Sequence, residues 1–352
     1  MSAYAASTSR ATDTPATTFS SRERWTLVAS SLWLVIGLQL DAYAHTTTPD
    51  LETFWTPWHA VLYSGIAACG FALLWLLRSR LPKVITYRSL LRETPTALRL
   101  PVVGMAMLLI GGGIDTLWHN LFGIEKGLEI FTSPSHYLII GGMVLVAVGP
   151  ALMLADSPVR RLAACDAALV TVSALLAVLP LHIYSRHASV LGEPRLGTGD
   201  DPMETWSLDG QMLHGYFGST VLLLLPILLI GRRWGLPLGM PTVLVALQAS
   251  LLWLMFGDPG TEWLFVSVAI TSAVVELLAR MVANRLRDLS ADARWMLLGF
   301  VSPILLWGAV FAVGSVVVGV GWGPHVLSGV LTFAALTGLG TSFVVRRLQT
   351  AS

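Results

Sequence analysis

Apolar runs of roughly 20 residues follow one another from Trp25 almost to the end of the chain. Each is long enough to cross about 30 Å of hydrocarbon as a helix. Charged residues make up 12% of the sequence, against about 25% in a typical soluble domain. We therefore expect an all-α integral membrane protein with about ten transmembrane helices. They fall at roughly 25–44, 57–77, 98–118, 134–155, 162–183, 211–231, 239–256, 262–283, 296–318 and 324–345. The links 257–261 and 319–323 are so short that the last four segments can also be read as re-entrant pairs. Residues 1–23 are Ser/Thr/Ala-rich and read as a disordered tail. The first apolar run lacks a convincing cleavage site, so a cleaved signal peptide is not expected.

Loop charges suggest an orientation. Of the 22 basic residues, all but Lys126, Arg186 and Arg195 fall on one side of this map. The excess of Arg and Lys makes that side cytoplasmic, with both termini inside a cell (plasma) membrane. A net charge of +1 provides no field for nucleic acid, leaving the bilayer as the first partner. Cys69 and Cys165 lie in apolar runs without a CxxC pair and read as small packing residues. All eight histidines fall at or near the outer face.

Those histidines belong to a pattern. Residues 41–59 read DAYAHTTTPDLETFWTPWH, placing Asp41, His45 and His59 in order. Residues 115–136 repeat the arrangement with Asp115, His119 and His136. Asp and His four apart share one helical face. Thr56-Pro57 and Ser133-Pro134 suit an N-cap followed by the first helical position, which puts His59 and His136 in a first turn. A helix end and a helix start then meet across a short loop, and Asp, His and His converge.

The even-numbered spans begin TPWHAVLYSG, SPSHYLIIGG, MLHGYFGST and, more weakly, GPHVLSG. This suggests a reused helix–loop–helix hairpin with small residues for close packing. On this reading, 24–156 holds two metal-motif hairpins and 157–235 a third with a long acidic outer loop. A C-terminal helical bundle occupies 236–352. In the third hairpin, His182 and His187 take the place of the Asp/His pair, followed by His214. Glu262 and His325 read as structural, and Asp166 and Glu276 as helix-packing or snorkelling residues.

Two imidazoles and a carboxylate form a transition-metal ligand set that leaves a coordination position open. Asp41, His45, His59, Asp115, His119 and His136 are the candidate ligands. Glu52, Glu125, Glu129, His182, His187 and His214 are candidates for supporting or additional ligation. Trp55, Trp58 and Trp118 are candidates for the walls. The plain alternative is that each Asp/His pair ties down a helix end in the wet interface, beside an ordinary aromatic belt. Repetition of the motif and the one-sided histidines favour the metal reading.

Asp-x3-His, followed about a dozen residues later by Phe-Thr-Pro-Ser-His, resembles the metal motif in the C subunit of the membrane-bound copper monooxygenases, the particulate methane and ammonia monooxygenases. The resemblance covers about 40 residues of the 352. It implies copper held by an Asp and two His on membrane helices. The chain departs from that family by carrying the motif twice, with 13 and 16 residues between the second and third positions, and by its larger number of spans. The expectation is a copper-binding membrane protein, a monooxygenase or monooxygenase-like subunit acting on an apolar substrate. It would depend on an electron-donor or other membrane subunit. Zinc and iron are the alternative metals. The competing functions are a metal transporter or copper-handling protein, a zinc membrane hydrolase with Glu125 or Glu129 as base, and a non-catalytic scaffold subunit.

Overall fold

The computed structural model describes residues 18–47, 56–82, 86, 88, 92–123, 125, 127–185, 189–191, 196–197 and 202–350. The secondary structure is entirely helical among them. The helices are α1 (Ser21–Thr47), α2 (Pro57–Leu77), α3 (Thr96–Phe122), a 3-10 turn (Gly127–Phe131), α4 (Pro134–Ala147), α5 (Gly149–Ala155) and α6 (Ala164–Tyr184). They continue as α7 (Pro202–Trp234), α8 (Met240–Phe256), α9 (Glu262–Arg285), α10 (Ala291–Val317) and α11 (Pro324–Thr350). Among the described residues, nine helical segments are long and apolar enough to cross a membrane, with α4 and α5 counted as one.

The tenth expected span, α8, has 17 residues, short of the roughly 20 that cross a bilayer. Its first turn meets Glu276 within α9. The Glu276 carboxylate accepts from Gly239 N at 2.7 Å and from Thr242 N at 3.3 Å and Oγ1 at 2.7 Å. A carboxylate at a helix N-terminus pairs orphan amides and opposes the positive end of the helix dipole. Arg280 closes the arrangement, 2.7 Å from Glu276 and 2.9 Å from the Pro237 carbonyl.

Two boundaries differ from the sequence expectation for local reasons. Helix α1 begins at Ser21 because Ser20 and Glu23 form a capping box. Glu23 N donates to Ser20 Oγ at 3.2 Å, and Ser20 N donates to Glu23 Oε2 at 2.8 Å. Helix α7 begins at Pro202, inside the stretch expected as an outer loop.

Helices α1 and α2 pack as one hairpin and α3 and α4 as another, with α2 against α3. Their backbones touch through glycine. A Cβ at Gly37 would lie 2.6 Å from Leu62 Cα, and one at Gly65 would lie 2.6 Å from Leu34 Cα. Gly104 and Gly142 make the same reciprocal approach in the second hairpin, each 2.7 Å from the other's carbonyl oxygen. Small residues let membrane helices approach this closely, where dispersion and weak contacts replace the hydrophobic drive. Helix α6 joins this unit to α8, and α7 to α11 complete the bundle.

Charged side chains fasten the end of the bundle where α1 starts. Arg24 pairs with Asp166 at 3.3 Å and Arg80 with Glu23 at 2.8 Å, while Asp292 sits between Arg232 and Arg346. Cys69 is buried in the core as expected, but Cys165 is exposed at the start of α6 and packs nothing away.

Candidate metal centre

The opposite end, where α1 and α3 finish, carries the two repeated motifs on helix termini. Thr56 caps α2 by accepting His59 N at 3.2 Å, and Pro57 occupies the first turn. The cap fixes the direction from which His59 leaves the helix. Asp41 and His45 lie one turn apart on α1, with Asp41 Oδ2 3.8 Å from His45 Nε2 and Asp41 Oδ1 3.4 Å from His59 Nε2. Asp115 and His119 lie one turn apart on α3. Asp115 Oδ1 is 3.6 Å from His119 Nε2 and 3.2 Å from His136 Nε2. In each group, one potential ligand atom per residue falls within 4.8 Å of the others, a set that could hold a metal ion. Separations near 3.4 Å match the edge of a tetrahedron with metal–ligand bonds of about 2.1 Å.

The outer faces of two rings identify their inner nitrogens. His136 Nδ1 is 2.7 Å from the Ile130 carbonyl oxygen. A carbonyl only accepts, so Nδ1 carries the hydrogen, and in the neutral ring Nε2 keeps its lone pair. His119 Nδ1 is likewise 2.9 Å from Glu125 Oε2 and 3.3 Å from the Gly123 carbonyl. As neutral rings, both would then point an Nε2 electron pair at the Asp115 carboxylate. Such convergence of acceptors is stable only around a cation, either a proton or a metal. An imidazole whose far N–H is held by a carbonyl or carboxylate is the usual support for a metal-ligating histidine.

The two groups are contiguous. The His59 and His119 ring centroids are 5.9 Å apart, between pairs of 5.6 Å (His45–His59) and 6.3 Å (His119–His136). Tyr63 spans the boundary. Its ring lies against His59 at 6.4 Å, and its hydroxyl is 3.1 Å from Asp115 Oδ2 and 3.2 Å from the Gly112 carbonyl. Gly112 makes room for that ring, since a Cβ there would lie 2.9 Å from Tyr63 Cε1. Ser135 donates to Asp115 Oδ1 at 3.0 Å and shares a 2.8 Å hydrogen bond with Ser133. Ser133 thus serves the site, and its side chain makes no cap bond to α4.

Tyr63 and Ser135 were absent from the sequence expectation. A serine one residue before His136 and a tyrosine one turn after His59 were the available signals. Glu125, expected as a supporting residue, reaches the site by touching His119. Burial alone would raise its carboxyl, but the hydrogen bond to His119 outweighs that and holds it below the ordinary carboxylate range. Glu129 is exposed. Trp118 stacks on Phe122 at 4.6 Å and Trp58 is partly exposed, so the aromatic ring entering the cluster is Tyr63.

The remaining histidines go elsewhere. His182 is fully buried on α6, beside Gln248 and without a carboxylate ion pair among the described residues. His214 is exposed beside Phe217, and His325 is exposed at the start of α11. Glu52, Trp55 and His187 lie outside the described residues. Comparison of the chain with protein-family models, curated proteins and solved structures gave no match.

Proposed function

We propose that this chain is a membrane metalloprotein binding two transition-metal ions side by side, one at Asp41/His45/His59 and one at Asp115/His119/His136. The reading rests on the convergence of the His119 and His136 Nε2 atoms on Asp115, with both Nδ1 atoms committed to acceptors behind them. A metal ion would satisfy the carboxylate and both Nε2 atoms at once, whereas a structural tie would place a proton on each Nε2 and leave no metal to measure.

Copper is the favoured metal and oxidation of an apolar compound the favoured chemistry, on the resemblance of the motif to the copper monooxygenase C subunit. Bound copper would supply the one-electron chemistry that such oxidations need. The protein's own part is to present the ligands in a fixed order, keep Nε2 free for coordination and close the back of the site with Tyr63 and Ser135. Apolar side chains on the outer surface of this end suit arrival from lipid, among them Leu117, Leu121, Phe122 and Tyr137. Glu125 is engaged with His119 and is not poised over an open position, which speaks against its use as the base of a zinc hydrolase.

The test is elemental mass spectrometry of protein purified in mild detergent, comparing wild type with His59→Ala/His136→Ala. Copper at one or two ions per chain, lost in the variant, supports the reading. Zinc in its place redirects it to hydrolysis. No metal after reconstitution with either ion removes it in favour of a scaffold.

A further inference from the structure

The far half of the bundle holds a second feature, independent of the metal reading. Helix α9 packs on α8 and α10 and stands away from α7. The gap is a cavity of about 640 Å³ walled by Leu223, Ile227, Val275, Val282, Leu298 and Leu306 among others. Its wall follows α9 from Ser272 to the residue that caps its end, Leu286, about 21 Å at a rise of 1.5 Å per residue. That length exceeds the roughly 15 Å thickness of one leaflet's hydrocarbon.

The hydroxyls on the wall are already satisfied. Thr220 accepts Trp307 Nε1 at 2.8 Å and donates to Tyr216 O at 2.7 Å, while Ser272 and Ser302 donate to carbonyls of their own helices. These hydroxyls therefore leave the wall between them to hydrocarbon.

Three charged side chains line the cavity, Glu276, Arg280 and Arg294. Glu276 and Arg280 compensate each other and are further satisfied by the α8 N-terminus and the Leu236 and Pro237 carbonyls. Arg294 is half-buried in the first turn of α10, and its guanidinium has no hydrogen-bond or ion-pair partner among the described residues. The positive end of the α10 dipole adds to its charge. An apolar slot of acyl-chain length whose lining carries one guanidinium with no ion-pair partner among the described residues suits a molecule with an acyl chain and an anionic group. We infer that this cavity binds an anionic phospholipid from the surrounding bilayer, with an acyl chain along α9 and the phosphate at Arg294. Guanidinium groups suit phosphate by their planar fork of donors, and basic pockets between membrane helices hold anionic headgroups.

The experiment is native mass spectrometry of delipidated full-length protein given equal amounts of phosphatidylglycerol and phosphatidylcholine. Wild type should retain one phosphatidylglycerol per chain with a preference of about fivefold, the effect of one well-placed basic residue. Arg294→Gln should erase the preference, and Arg294→Lys should restore part of it. Ala279→Phe, and Ser302→Leu on another wall, should reduce retention of both lipids by filling the slot. Elution as a single species and an unchanged unfolding temperature confirm that each variant is folded. The inference is overturned by equal retention of the two lipids in wild type, or by retention unaffected in folded slot-filling variants. Competition by inorganic phosphate as effective as that by phosphatidylglycerol, or occupation of the face by a second copy of the chain, also overturns it.

Discussion

His136 is held from both sides. Its Nδ1 is 2.7 Å from the Ile130 carbonyl and its Nε2 is 3.2 Å from Asp115 Oδ1. The backbone contact sets the ring so that Nε2 faces Asp115. Asp115→Asn preserves the side-chain shape while removing the charge that a bound cation needs. We expect it to remove about half of the bound metal, with Asp41→Asn removing the other half, because each triad supplies one three-ligand site. Elemental analysis of the two purified variants decides it, and full metal content in both would sink the assignment.

Glu125 tests the support behind the ligands. Loss of an outer carboxylate from a metal-bound histidine typically lowers metal affinity by about 10- to 100-fold. Glu125→Gln keeps the side-chain size and is expected to weaken binding in that range, measured by chelator competition. Ser135→Ala should act in the same direction through Asp115 Oδ1. Affinity unchanged by Glu125→Gln would show that its 2.9 Å contact with His119 is incidental to the site.

How far the sequence revealed this arrangement depends on the range of the interaction. The membrane helices and both triads were legible because span length, i,i+4 spacing and Pro-led helix starts are local signals. Tyr63 was not, since its role follows from α2 meeting α3 at Gly112. The histidine pattern overreached for the same reason. His182 carries the same residue type at a helix end, yet α6 turns it into the core, apart from any carboxylate ion pair among the described residues. The bounds of α8 were legible, but its cap was not, because Glu276 lies 37 residues away from Gly239.

Acid should strip the metal. Each site needs its two imidazoles neutral, so binding releases protons and affinity rises with pH. Ordinary imidazoles take up protons near pH 6.5. Metal retention at fixed chelator should therefore fall as the solution is made acid. Glu125 will not drive this change. A carboxyl held below its ordinary value contributes above the ordinary carboxylate range and is lost only as pH falls through its own lowered value. Metal affinity that does not fall with acid would contradict histidine ligation.

Tyr63→Phe removes a hydroxyl shared between the Gly112 carbonyl and Asp115 while leaving the ring against His59. A typical hydrogen bond contributes about 0.5–1.5 kcal/mol, and one to a charged group somewhat more. We expect the variant to bind metal but unfold at lower temperature in detergent. Its metal-loaded form should show an altered spectrum, because the Asp115 carboxylate loses one of its two hydroxyl donors. An unchanged spectrum together with unchanged stability would place the hydroxyl outside the site.

The close approach of α1 and α2 sets the geometry of the first triad, which can be tested away from the ligands. A methyl group at Gly37 would meet Leu62 Cα at 2.6 Å. Backbone cannot swing aside as a side chain does, so Gly37→Ala must push the helices apart. Overpacking of this kind costs about 1–3 kcal/mol. Gly113→Ala is the matched control, since a Cβ there meets nothing within 4 Å, and alanine favours helix over glycine by up to about 1 kcal/mol. Gly37 lies one turn before Asp41 on α1, and Leu62 lies three residues beyond His59 on α2. Separating the helices therefore moves His59 away from Asp41 and leaves the α3–α4 hairpin in place. We expect Gly37→Ala to lose metal preferentially from the first triad and to unfold earlier than Gly113→Ala. Equal stability and equal metal content in the two variants would show that the glycine contact does not set the spacing of the ligands.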